Sequence, residues 1–325
     1  MREIHRILFV RSDRLGDVLM NLPAIRVLRQ TYPKAWMALA VDKAVSNFFK
    51  DHPDLDEIIV LDAAELSRNR QKRWELIRKI RAARFDLAVV SNPSKFFHLL
   101  LFLSGIPIRA GWRRKWSFFL NRSLPDLKDK SARHEIDSNL DLAGLVSDRK
   151  WDGRYIMPED KKSAEQVEVL LNDVDASLPI VAIHPGTSNP QKKWPSECFV
   201  ALCGQLQASG QCGVVLIGGE EEMDLSREIA RKLSKPALDL TGRLTLKELA
   251  AFFKNPRVKT LVSSDSGPVH VAWMSGKPVV VFYSKNASGS NPVRWGPRDQ
   301  KSEVIFKTID EVTVNEVFDR VRRLL

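Results

Sequence analysis

The chemistry of this chain is concentrated in two short segments of its second half, HPGTSNPQKKWP at His184 to Pro195 and SSDSGPVHVA at Ser263 to Ala272. In the first, Thr187 and Ser188 offer hydroxyls while Lys192 and Lys193 offer cations, a set suited to a diphosphate. In the second, Asp265, Ser266 and the backbone of Gly267 and Val269 converge where a helix should begin, with His270 one turn inside. Backbone N–H groups at a helix start attract phosphate. The Asp265 carboxylate repels it, so its partner should be a hydroxylated group such as a sugar. Together the two loops point to a bound sugar nucleotide. Each residue alone also fits a solvated polar loop, and a lone histidine on a helix face is often structural. The weight lies in the cluster.

Two further turns carry candidate groups. In Gly218-Gly-Glu-Glu-Glu222 the glycines allow close backbone approach, and a carboxylate there can bind ribose hydroxyls. Three glutamates at a helix start also complement its dipole without any ligand. In Arg11-Ser-Asp-Arg-Leu-Gly-Asp17, Gly16 permits a tight turn that places Asp17 at the start of the first helix. There it can cap the helix, or take a proton from an acceptor hydroxyl as a general base. Asp13 competes for the second role from earlier in the loop.

Short apolar strands must hold these loops. Ile180 to Ile183 and Thr260 to Ser263 precede the first two, Gly213 to Ile217 the glutamate turn, and Arg6 to Val10 the Asp17 loop. Trp36 to Val41, Glu57 to Leu61, Leu87 to Ser91 and Pro278 to Tyr283 are further strands. Helical patterns cover Leu19 to Arg29, Gln71 to Arg84, Glu197 to Ser209, Glu222 to Leu233, Leu246 to Phe253 (with Thr245 as its cap) and Val312 to Leu325. This βαβ alternation predicts an α/β fold of two doubly wound, Rossmann-like parallel-sheet domains facing each other across a cleft. The polar stretch from Asp148 to Pro179 reads as their junction.

Composition narrows the partners. The opening, MREIHRILFVRSD, has no apolar signal-peptide core, and no apolar run approaches the roughly 18 residues of a membrane span. Cys198, Cys203 and Cys212 are odd in number and lack metal-site spacing, so buried thiols and a cytoplasmic setting are expected. Residues 1–150 hold 28 Lys/Arg against 18 Asp/Glu, a net of +10, whereas residues 151–325 hold 23 against 22. A field this one-sided implies an anionic partner for the first half: a membrane surface, a phosphorylated substrate or nucleic acid.

With these segments in place, the chain resembles the ADP-heptose:lipopolysaccharide heptosyltransferases, glycosyltransferase family 9, nearly from end to end. RSDRLGDVLMNLPAIRVLRQTYP is similar to the family's opening, HPGTSNPQKKWP to its phosphate loop, GGEEE to its ribose loop and SSDSGPVHVA to its donor signature. The resemblance implies the GT-B fold, with an acceptor domain at 1–165, a donor domain at 175–307, and a last helix, 308–325, packing back on the first domain. It implies an inverting, metal-independent transfer with ADP-heptose as donor substrate, no cofactor and no metal ligands. Asp17 would be the general base. Lys192 would hold the diphosphate beside Thr187 and Ser188, Glu222 the ribose, and Asp265, Ser266, Gly267 and His270 the donor sugar and phosphates. The acceptor would be an anionic glycolipid, the inner core of lipopolysaccharide, at the inner leaflet of the membrane, which places the protein in the cytoplasm, peripherally on that surface, with no nucleic-acid partner. Arg113, Arg114, Lys115 and Trp116, in a segment interleaving basic and aromatic residues, are the candidates for acceptor or membrane contact; a partly buried helix with a basic edge is the other reading. Where the family continues with Gly and Pro after Val279 to Phe282, this chain reads Tyr283-Ser-Lys, next to the place of the donor base and sugar. A different nucleotide sugar or glycan acceptor on the same fold is therefore the alternative. A basic nucleic-acid-binding protein is the alternative of another class, but it leaves the donor-like loops unexplained.

Overall fold

Continuous runs of Val, Ile, Leu and Ala make strands that can be buried on both faces, the hallmark of parallel sheets. The computed structural model describes residues 3–126 and 133–325, and contacts divide the chain into the units Met1–Pro158 and Glu159–Leu325. The first unit contains β1 (Arg6–Val10), β2 (Trp36–Asp42), β3 (Glu57–Leu61), β4 (Leu87–Val90), β5 (Ile108–Arg113) and β6 (Arg122–Pro125). All pair in parallel, in the order β3-β2-β1-β4-β5-β6. With them go α1 (Leu15–Leu19), α2 (Leu22–Thr31), α3 (Lys43–Ser46), α4 (Ala63–Arg68), α5 (Arg70–Ala82), α6 (Lys95–Leu103) and α7 (Glu135–Gly144).

The second unit repeats the plan. Its strands are β7 (Ile180–His184), β8 (Gly213–Leu216), β9 (Leu238–Asp239), β10 (Val258–Ser264), β11 (Val279–Ser284) and β12 (Glu303–Lys307), and its helices α8 (Lys161–Leu170), α9 (Ser196–Ser209), α10 (Met223–Lys232), α11 (Leu246–Lys254), α12 (Gly267–Met274), α13 (Pro292–Trp295) and α14 (Val314–Arg322). The order β12-β11-β10-β7-β8-β9 is again all parallel. In each unit the chain starts at a central strand, winds outward on one side and returns to the other. The order therefore reverses between β1 and β4, and again between β7 and β10. Ligands of doubly wound sheets bind at the carboxyl ends of the strands flanking such a reversal.

The sequence reading needs four corrections here. The expected helix over Leu19 to Arg29 is two, because Pro23 has no N–H to continue α1; Asn21 fills the break, its Nδ2 donating to the Asp17 carbonyl at 2.7 Å. The boundary falls after Pro158 rather than at 165. A cut at 165 would split α8, which is tied to the second unit by the Asn255–Glu168 bond at 2.8 Å, with the Lys254–Glu159 bond at 2.9 Å just before the helix. The last helix, expected to pack back on the first domain, has its apolar stripe in the second unit's core: Val317 and Val321 cluster with Trp194, Phe199 and Phe282. Its charged face is held there too, since Arg320 and Arg323 pair with Glu303 of β12. Finally, Cys203 and Cys212 are buried but Cys198 is only partly so. Thr245 does cap α11, in a reciprocal capping box with Glu248.

Candidate active site

The β7/β10 reversal brings together most of the residues singled out in the second half. Lys192 Nζ and Asp265 Oδ2 lie 2.5 Å apart, both largely buried. Ser264 Oγ donates to the Lys192 carbonyl, tying the first loop to the end of β10 at 2.7 Å. Ser266 is the N-cap position of α12, and Gly267 opens the helix. A Cβ placed on Gly267 meets nothing within 4 Å. The result is an ammonium, a carboxylate and a helix N-terminus side by side. That set can take a phosphate on one side and sugar hydroxyls on the other.

Beneath it lies a residue to which the sequence reading gave no role. His184 ends β7 opposite Ser263 in the β7–β10 register. Its Nδ1 lies 2.9 Å from Ser263 Oγ and 3.3 Å from Ser266 Oγ. Burial depresses the imidazole pKa to about 4, so it is neutral, and its 4.0 Å approach to Glu222 is not an ion pair. With that carboxylate facing Nε2, the favoured tautomer carries its proton there and leaves Nδ1 to accept from a serine. The Ser263 hydroxyl also lies within reach of the Ser264 carbonyl at 2.8 Å and of Ser266 Oγ at 3.0 Å, so the imidazole and the two serines form one hydrogen-bonded network. His184 thus orients the α12 cap residue.

The other second-half candidates are placed less uniformly. Glu222 Oε2 accepts from the Gly219 N–H at 2.5 Å. Its side chain lies against Gly186, where any Cβ would collide with it. The glutamate turn and the His184–Pro195 loop therefore meet, and Gly186 is a glycine for want of space. Thr187 Oγ1 accepts from Asn189 N–H, shaping the turn, and Ser188 is exposed beside it. His270 is buried within α12, where its Nδ1 accepts from Trp273 Nε1 at 3.3 Å. That nitrogen serves the helix, not the loop. In the departing segment, Tyr283 is fully buried and donates to the Trp295 carbonyl at 3.0 Å, and Ser290 Oγ receives the Ser284 N–H.

In the first unit, Asp17 lies at the β1/β4 reversal. It is the third residue of α1, whose N-cap position is Arg14, so it does not cap the helix. Instead its Oδ1 accepts from Arg11 Nη2 at 2.9 Å. Arg11 is buried at the end of β1 and also faces Asp13 Oδ2 at 2.9 Å, Glu135 Oε1 at 3.7 Å and the Ser91 carbonyl at 3.1 Å. One guanidinium is thus shared by three carboxylates. Burial raises the Asp17 pKa from the ordinary aspartate value; Arg11 opposes this, and Asp13 and Glu135 reinforce it. An Asp that is partly exposed, held by a cation and raised in basicity is equipped to accept a proton. Asp13, the competing carboxylate, is engaged by Asn92 Nδ2 as well as Arg11. Arg11 and Glu135 were not identified from sequence. Arg11 stood in the quoted motif, whereas nothing local marks Glu135, which α7 delivers from far along the chain.

The basic-aromatic segment is not a helix. Arg113 ends β5, Lys115 and Trp116 are both left-handed (φ 49° and 57°), and Ser117–Phe119 make a single 3-10 turn.

Comparison with known proteins bears on all of this. The family model described as glycosyltransferase family 9 (heptosyltransferase) matches residues 73–317. Lipopolysaccharide heptosyltransferase 2 of Escherichia coli K12 is 24% identical over 311 residues, spanning 92% of this chain and 87% of that protein. Among solved structures, a family 9 glycosyl transferase from Veillonella parvula superposes with a TM-score of 0.89 at 22% identity, over 100% of this chain and 98% of that one. The ADP-heptose lps heptosyltransferase II of E. coli gives 0.81 at 22% identity, over 98% of each.

Proposed function

The chain belongs to glycosyltransferase family 9 (heptosyltransferase), and from that premise we propose that it transfers heptose from ADP-heptose to the inner core of lipopolysaccharide, with inversion and without a metal. The observation that carries the reading is the β7/β10 reversal, where Lys192, Asp265 and the α12 N-terminus stand together. The ADP-heptose in the name of one structural relative fits this set.

In the proposed reaction an acceptor hydroxyl gives its proton to Asp17 as its oxygen attacks the anomeric carbon. The bond from that carbon to the diphosphate oxygen breaks, and ADP leaves. Lys192, which has three N–H donors and spends one on Asp265, would take the developing negative charge together with Thr187, Ser188 and the α12 N–H groups. Asp265 would turn to the sugar hydroxyls, and Glu222 to the ribose. Among the described residues no helix is long and apolar enough to cross a membrane. The proposed reaction has the lipid-linked acceptor met peripherally, at the cytoplasmic face of the membrane.

A second reading keeps the fold and changes the sugar nucleotide. The Tyr283–Trp295 and Ser284–Ser290 bonds favour it, because they fix a local course for the segment that departs from the family pattern. Thermal unfolding with ADP-heptose, ADP, UDP-sugars and GDP-sugars decides. A ligand at a hundred times its dissociation constant adds about 2.7 kcal/mol to stability. A shift with ADP and ADP-heptose alone supports the proposal; a shift with another sugar nucleotide alone overturns the donor.

A further inference from the structure

The first unit carries an exposed aromatic cluster to which the proposed transfer step assigns no role. Phe118 is 74% exposed, Phe102 48% and Trp116 44%. They form one cluster, joined through Phe119: its ring centroid lies 4.4 Å from Phe118, 5.0 Å from Phe102 and 6.3 Å from Trp116. Phe102 comes from α6 and the others from the turn after β5, so the cluster is built by tertiary packing.

Cations collar it. Lys95 Nζ lies 5.5 Å from the Trp116 ring and the Arg109 guanidinium 5.5 Å from Phe102. Arg113 and Lys115 are exposed beside them. The backbone is also held in a costly form to build the projection: Lys115 and Trp116 are consecutive left-handed residues without being glycine. Such outliers persist only where surroundings over-determine them, and they collect at functional surfaces. Buried His98 supplies one such restraint, its Nδ1 meeting the Lys115 carbonyl at 2.8 Å.

We propose that this projection docks the protein on an anionic lipid surface, with Phe102, Trp116 and Phe118 entering the headgroup region and the cations binding lipid phosphates. Exposed aromatic clusters mark contact surfaces, and tryptophan favours the boundary between headgroups and acyl chains. Charge selects the occupant. Pairing two copies through this face would bring Arg113 and Lys115 against their own counterparts, whereas an anionic surface complements both. The inference deepens the function proposed above and rests on it only for the identity of the lipid-linked acceptor; the docking chemistry stands on the first unit alone.

The test is co-sedimentation of the full chain, without donor or acceptor, on phosphatidylcholine vesicles with and without phosphatidylglycerol. Wild type should bind the anionic vesicles and lose binding as salt rises. The double variant Phe102→Ser/Phe118→Ser should bind at least tenfold more weakly, and so should Arg113→Gln/Lys115→Gln, with both variants keeping a cooperative thermal transition well above the assay temperature although each loses contacts with Phe119 or Ser123. Equal binding by wild type and the aromatic variant overturns the proposal. So does a wild-type chain that ignores anionic vesicles, or one that dimerises through this face, with Phe118→Ser restoring the monomer. Transfer to a deacylated, water-soluble acceptor should be unaffected by Phe102→Ser/Phe118→Ser. Absence of that transfer in wild type, with vesicle binding intact, would count against the proposed function and leave the docking surface standing.

Discussion

Asp17 and His184 show how neighbours set the chemistry of a side chain. Partly buried near Asp13 and Glu135, and despite the Arg11 guanidinium, Asp17 binds its proton more tightly in the folded chain than in the unfolded one. Its contribution to stability is therefore greatest below the unfolded carboxylate pKa and is lost as pH rises through the folded value. At neutral pH the ionised group costs stability. Asp17→Asn should accordingly lower transfer by about 10²–10⁴-fold, leave ADP affinity intact, and keep or raise the melting temperature at pH 7. Transfer at the wild-type rate would remove Asp17 from the reaction; a lower melting temperature would mean the carboxylate chiefly holds Arg11. His184 has the opposite sign. Its folded pKa of about 4 lies below the unfolded value of 6.5, so the unfolded chain gains the proton first as pH falls. Stability should drop between pH 6.5 and 4, by on the order of 3 kcal/mol for this group. His184→Asn, which cannot be protonated there, should flatten that segment of the curve in denaturant titrations at each pH; parallel curves would refute a neutral buried imidazole. Neither environment was legible locally, because each is completed by residues from distant elements: Glu135 on α7 and Ser263 on β10.

At the scale of elements, what could be read depended on periodicity. β1, β4, β7, β10 and β11 are near-continuous apolar runs and were evident. β6 and β9 are short edge strands, and β12 is an edge strand with exposed positions; their sequences carry little apolar signal, and pairing defines them. The same holds for α14, whose amphipathic pattern was plain but whose partner was not. Its Val317 and Val321 complete a core with Trp194, near the end of the loop that carries Lys192, and Trp194 Nε1 donates to the Val312 carbonyl at 2.9 Å. The final segment therefore braces that loop. Val321→Ala should lower stability by roughly 1–3 kcal/mol through the cavity it leaves, with a matching loss in the urea midpoint. An unchanged midpoint would place α14 outside the cooperative unit.

For the molecule as a whole, the sequence by itself determined the α/β class, the two-part plan, the basic bias of the first part and the polar loops that follow its strands. These follow from short-range rules: which residues pack on both faces of a strand, which permit a turn, and where like charges accumulate. Lys192 and Asp265 could be nominated because each lies in the loop that follows a strand, where such folds bind ligands. Only the tertiary structure decided that the two side chains meet, that a buried arginine holds Asp17 in place of a helix cap, and that α14 belongs to the second unit. It alone gathered Phe102, Trp116 and Phe118 into one projection. Those outcomes depend on register and on strand order, which bring residues dozens of positions apart within bonding distance, and contact energies between such residues leave no mark on the stretch of chain around either one.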